Sequence, residues 1–141
     1  MTVITLPPNY KPSPKEEYMN PQQLEYFRQK LLAWKEEILE EAEHTVHNMQ
    51  EESLQQPDLV DRASVETDMA IELRARDRQR KLISKIDEAL QRIESGEYGY
   101  CEETGQPIGL PRLEARPVAT LSLEAQERHE RHERTHRDEE Y

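Results

Sequence analysis

The chain contains a single cysteine, Cys101, in 141 residues. That count excludes an intramolecular disulfide and any metal site built from thiolates alone. Apolar material is also short, with 34% of residues hydrophobic and 6% aromatic against 35% charged. A thick globular core cannot be assembled from this, whereas paired helices that each bury one stripe need far less. No run approaches the ~20 apolar residues of a membrane span, and Met1 to Tyr18 has neither the basic start nor the apolar stretch of a signal peptide. The expectation is a cytoplasmic protein with no membrane partner. Positive charge is in deficit, with 19 Lys and Arg against 30 Asp and Glu and a formal charge of -11. Such a chain is ill suited to coating a nucleic-acid backbone, because that affinity comes from neutralising phosphates. A macromolecular partner with basic surface fits better.

What is present divides into four segments. Residues 1–19 carry Pro7, Pro8, Pro12 and Pro14 and read as an extended arm, flexible or draped. Residues 20–95 read as an antiparallel coiled-coil hairpin with its tip at about 53–62. Asn20 is a good N-cap and Pro21 suits the first helical position. Leu24, Phe27, Leu31, Trp34 and Ile38 then recur at intervals of three and four, and Ala42, Val46 and Met49 continue the stripe with a one-residue shift. Pro57 breaks the pattern and turns the chain. The second helix shows Val65, Met69, Leu73, Ile83, Ile86, Leu90 and Ile93 and stops at Gly96. Arg76 and Arg80 interrupt its face, and pairing with Glu37 or Glu41 is expected. Residues 96–126 hold all four glycines and read as a small globular module with short strands, its core drawn from Tyr98, Tyr100, Ile108, Leu110, Leu113 and Val118. Residues 127–141 form a charged helical tail. The fold class is mainly α.

Four constellations carry chemistry. Asp58 and Asp61 flank Leu59 and Val60 at the tip, with Ala63 following. Carboxylates there suit a cation or basic groups inside a partner, and equally suit turn formation and helix capping. Arg74, Arg78, Lys81 and Lys85 fall in a narrow arc at 100° per residue, with Leu82 at its border. The stripe suits an anionic surface or a phosphate-bearing ligand, and equally a solvated face balanced by nearby acids. His132, Glu133 and His136 satisfy the His-Glu-x-x-His pattern of zinc peptidases, with His129 nearby, but at the end of the chain and without an apolar face to bury a catalytic site. Cys101-Glu102-Glu103-Thr104 has the form of half a zinc-ribbon turn whose second cysteine is replaced.

Taken in order, Glu17-Tyr18-Met19-Asn20, Trp34, Pro57-Asp58, Val60-Asp61-Arg62-Ala63, Leu73-Arg74, Arg80-Lys81-Leu82-Ile83, Gly99-Tyr100-Cys101-Glu102 and Arg112-Leu113-Glu114-Ala115-Arg116-Pro117 resemble the DksA family of bacterial RNA polymerase accessory factors. The resemblance runs from about Glu16 to Gln126. It implies a non-enzymatic transcription regulator whose acidic-tipped coiled coil enters the polymerase secondary channel and modulates open promoter complexes together with guanosine tetraphosphate, the stringent-response alarmone. It implies that Asp58, Asp61 and Ala63 act near the polymerase active centre, and that Arg74, Arg78, Lys81, Leu82 and Lys85 face the polymerase and the alarmone. The zinc-binding cysteines of many members fall here at Cys101, Thr104, Ser122 and Ala125, so the module is expected to hold no structural zinc. A lysine of the alarmone site falls at Gln126, which removes a charge-assisted phosphate contact. The expected partners are RNA polymerase and guanosine tetraphosphate, without sequence-specific DNA binding, and the expected state is a monomer. The competing readings are a Gre-type transcript-cleavage accessory factor and, through the His-Glu-x-x-His match, a metallopeptidase.

Overall fold

A computed structural model describes residues 4–55 and 59–139, with the side chains of 45, 49–63 and 136–139 outside the described set. Four helices follow in order, α1 (Pro21–Gln55), α2 (Leu59–Ser95), α3 (Leu110–Ala115) and α4 (Leu123–Glu139). The mainly α class expected from composition is what the chain adopts. Where short strands were expected in the module, the described residues hold one isolated antiparallel bridge between Tyr100 and Pro107. Proline and glycine there set tight turns too closely for a ladder to extend.

Helix ends follow their local chemistry. The Asn20 side chain accepts from the Gln23 N–H at 2.9 Å, satisfying one of the donors that a helix start leaves open. At the far end of α2, Gly96 adopts φ +82°, the Glu97 N–H donates to the Arg92 carbonyl at 2.9 Å and the Gly96 N–H to the Ile93 carbonyl at 3.4 Å. This is a Schellman closure, which needs the left-handed residue that glycine supplies cheaply.

The chain forms two compact units, Met1–Leu31 with Glu88–Tyr141, and Leu32–Asp87. The first has the denser core. Phe27, Leu31, Ala89, Tyr98, Cys101, Ile108, Leu113 and Ala125 are buried there. Phe27 and Tyr98 rings lie 5.7 Å apart, and the Tyr98 hydroxyl donates to the Pro117 carbonyl at 2.7 Å, so the polar end of that buried ring is satisfied. Of the expected module core, Tyr100, Leu110 and Val118 are half-buried.

The N-terminal arm is draped on this unit. The Tyr18 hydroxyl donates to the Gly99 carbonyl at 2.6 Å and accepts from the Gly109 N–H at 2.9 Å. Gly99 stands at φ +90°, and a Cβ built there meets Met19 Cγ at 2.7 Å. Gln23, fully buried, accepts from the Met19 N–H at 2.8 Å and donates to the Ser13 carbonyl at 3.4 Å. Tyr10 donates to Glu16 at 2.6 Å, and that bond, with a second from Asn20, holds the Glu16 carboxyl below its ordinary range.

In the second unit α1 and α2 run side by side. Ile38 and Ile86 are buried, and Lys35 Nζ lies 2.7 Å from Asp87 Oδ1. With only residues 56–58 between the two helices, the pairing is antiparallel. Two sequence expectations are corrected here. Leu73 is 53% exposed and Arg80 is exposed, while Glu72, Arg76 and Gln79 are half-buried. Stepping by threes and fours back from Ile86 through Ile83 reaches 79, 76 and 72, which leaves 73 and 80 one residue off the inward face.

Phe27→Ala removes a fully buried ring and is expected to cost about 3–5 kcal/mol in urea unfolding, whereas Leu39→Ala, at an exposed position, should stay within about 0.5 kcal/mol. Gly99→Ala combines a disfavoured φ with a clash against Met19 and should cost more than about 1 kcal/mol by the same measurement.

Candidate functional site

The basic stripe is a continuous feature of α2 in the second unit. Arg74, Arg78, Lys81 and Lys85 are all exposed and lie on one face, with Leu82 half-buried at the edge. Lys81 sits 3.3 Å from Asp77 one turn before it, both side chains being more than half exposed. Such a pair is worth little in water and leaves the cation available. Leu73, Arg74, Asp77 and Arg78 line a shallow surface cleft. The face can hold an anion by charge and by the planar forks of two arginines.

Of the tip residues, Asp58 lies outside the described residues. Asp61 and Ala63 belong by backbone to the first two turns of α2, and their side chains lie outside the described set. A carboxylate in a first helical turn is favoured by the partial positive charge of the helix start.

The third group of residues is brought together in the first unit. The turn at 101–105 and the start of α4 place Thr104 and Ser122 each against Cys101, with Ala125 of α4 fully buried. The Cys101 N–H donates to the Gln106 carbonyl at 2.8 Å, and the Gly105 N–H to the Cys101 carbonyl at 2.9 Å. Ser122 caps α4, its Oγ accepting from the Ala125 N–H at 3.2 Å. Burial pushes the Cys101 thiol up, but hydrogen bonds from the Thr104 hydroxyl and from the N–H groups of Ser122, Thr104 and Glu103 outweigh it, taking the pKa down to about 6.

Several supports of this turn escaped sequence reasoning. Arg92, at the end of α2, donates to the Tyr100 carbonyl at 2.8 Å, the Glu97 carbonyl at 3.1 Å and Glu102 at 3.1 Å. Arg112 donates to the Leu121 carbonyl at 2.9 Å. His129 of α4 contacts the Glu103 carboxylate. Lys30 and Tyr26 converge on Glu114 at 2.7 and 3.1 Å. Burial pushes the Glu114 carboxyl up, but these two partners outweigh it and hold it below its ordinary range. The available signal was weak, since a basic residue at a helix end is usual for helix-dipole reasons alone. Of the His-Glu-x-x-His match, His132 and Glu133 are exposed on α4 and the His136 side chain lies outside the described set. Among the described residues no group of three or more His, Cys, Asp or Glu is placed to hold a metal ion. Nor is any described helix long and apolar enough to cross a membrane.

Comparison with known proteins gives two family matches. Residues 23–93 match the N-terminal domain of the DnaK suppressor protein DksA, and residues 96–131 match the prokaryotic dksA/traR C4-type zinc finger. The chain is 67% identical over 138 residues to a protein of Caulobacter vibrioides named RNA polymerase-binding transcription factor DksA, covering 98% of this chain and 97% of that one. A protein of the same name from Escherichia coli K12 is 48% identical over 117 residues, covering 83% and 78%. Among solved structures, transcription factor DksA2 from Pseudomonas aeruginosa superposes with a TM-score of 0.77 at 44% identity, covering 83% of this chain and 90% of that one.

The second match corrects the expectation of a module without structural zinc. Residues 96–131 are a zinc finger by family, which points to a structural zinc site. A cysteine count speaks to the ligand set and not to the kind of module, whereas the match spans the turn glycines, the aromatics and the start of α4. At the four positions where the resemblance places ligands, this chain itself offers one thiol, two hydroxyls and a methyl, which is not a four-thiolate set.

The thiolate gives a measurable signature. In chelator-treated protein, thiolate absorbance of Cys101 should rise with a midpoint near pH 6 rather than at the ordinary 9.0. Because the folded value is the lower one, the linked stability is complete above the ordinary thiol range and is lost as pH falls through about 6. A midpoint above 8 would show that the hydrogen bonds do not stabilise the anion.

Proposed function

The chain belongs to the DksA family, and on that premise we propose that it is a transcription regulator that binds RNA polymerase. The observation that carries this is the end-to-end match with a relative named for that activity. The paired helices are the docking element. In this reading residues 20–95 form a coiled-coil hairpin that enters the polymerase secondary channel, with Asp58, Asp61 and Ala63 at its tip beside the active centre. There the factor modulates open promoter complexes, without a reaction of its own and without sequence-specific DNA contacts. The arm 1–19, the module 96–126 and the tail 127–141 hold the hairpin base. The setting is the cytoplasm and the active form a monomer.

The basic face supports a second contact. Arg74, Arg78, Lys81, Leu82 and Lys85 meet the polymerase surface and guanosine tetraphosphate. Four exposed cations on one helix face, in a chain of charge -11, supply the local positive field that a polyphosphate needs. Gln126, half-buried on α4 with its amide 3.3 Å from Glu130, contributes no charge, so the alarmone response rests on the α2 residues.

In-vitro transcription from a ribosomal promoter separates the parts. Asp61→Asn should lose most of the inhibition while retaining polymerase binding; equal inhibition by parent and variant would remove the tip from the mechanism. Arg78→Ala with Lys85→Ala should weaken polymerase binding by about tenfold at low salt and flatten its salt dependence. Backtracked RNA should remain uncleaved in the presence of the factor, which sets it apart from a cleavage accessory factor.

A further inference from the structure

The second unit changes character along its length. Its full apolar burial sits at Ile38 and Ile86. Further along α2 the alternating three-and-four positions are Ile83, Gln79, Arg76, Glu72, Met69 and Val65, all half-buried, with Leu82 and Ala75 half-buried beside them, so three consecutive positions of that row are polar. On α1 the half-buried positions beyond Ile38 include Ala42, Val46 and Asn48. The polar interruption of the seam lies on α2.

Polar seam residues are common devices for fixing register, and they do so when their hydrogen bonds are made. For two of them, Glu72 Oε2 and Gln79 Oε1, both buried, no hydrogen-bond partner stands among the described residues. An acceptor stripped of water with nothing in return disfavours the packed state and confers no register preference. Arg76 lies between them on the same face, and its long charged side chain resists full burial. Each helix keeps its own backbone ladder, so what is weakened is the packing of one helix on the other.

We infer that residues 65–79 of α2 are a built-in yielding segment, where the paired helices part far more readily than at residues 83–87. The segment lets the hairpin adapt where it meets a partner while its base stays fixed. The inference concerns the paired helices alone and holds whatever they dock on.

Amide hydrogen exchange on the full chain tests it. Amides of residues 65–79 should exchange at least about tenfold faster than those of 83–87. Glu72→Leu and Gln79→Leu, made separately and together, should each slow exchange in 65–79 by about tenfold, since each removes one unpaired buried acceptor and adds apolar surface. Ala70→Leu, at an exposed position of the same stretch, should change nothing. Uniform protection along the parent α2 would overturn the proposal. So would exchange at the parent rate in both Glu72→Leu and Gln79→Leu, an equal slowing by Ala70→Leu, or a slowing that disappears on tenfold dilution and so reports association between chains.

Discussion

Phe27 packed against Tyr98 is the contact on which the first unit depends. In a chain that is only 34% hydrophobic, few side chains are large enough to exclude water from a module so rich in turns. Phe27 comes from the start of α1 and Tyr98 from just beyond α2, so one ring contact fixes both helix ends and the turn that follows. The polar bonds gather around it. Tyr98 reaches Pro117, Arg92 reaches Tyr100 and Glu97, and Tyr18 spans Gly99 and Gly109. Each satisfies a backbone group that a module without strands would otherwise leave open.

That arrangement explains how the finger segment is organised around so few thiols. The segment belongs to a zinc-finger family, yet it supplies one cysteine thiol. Around that sulfur the turn aims N–H groups and a hydroxyl, an anion-stabilising arrangement with the same sign preference as a cation nearby. The surrounding hydrogen bonds and the buried Ala125 hold the turn against the start of α4.

Much of this was legible in the sequence, for definable reasons. Helix periodicity, the Asn20 cap and the Gly96 stop are local properties, written within a few residues of where they act. Side chains one position from the seam are harder. Chemistry and rough spacing point Leu73 and Arg80 inward, whereas the strict three-and-four rhythm selects Glu72, Arg76 and Gln79. Residue type misleads there because polar residues hold seam positions. The supports of the module are invisible for another reason: Arg92, Arg112 and Tyr18 act on backbone groups, which no side-chain pattern announces. The exposed stripe of α2 was legible because surface cations need only helical geometry to align.

The joining of Tyr26 and Lys30 to Glu114 has a consequence for how the protein is made. Those partners stand 88 and 84 residues apart along the chain. At about 5–20 residues per second, a ribosome takes about 4–18 s to add 88 residues, so the beginning of α1 leaves it well before its counterpart exists. During that interval Phe27 and Leu31 have no module to cover them. The unit closes only once Glu114 and its neighbours have been made, so the apolar face at the start of α1 waits uncovered through that interval.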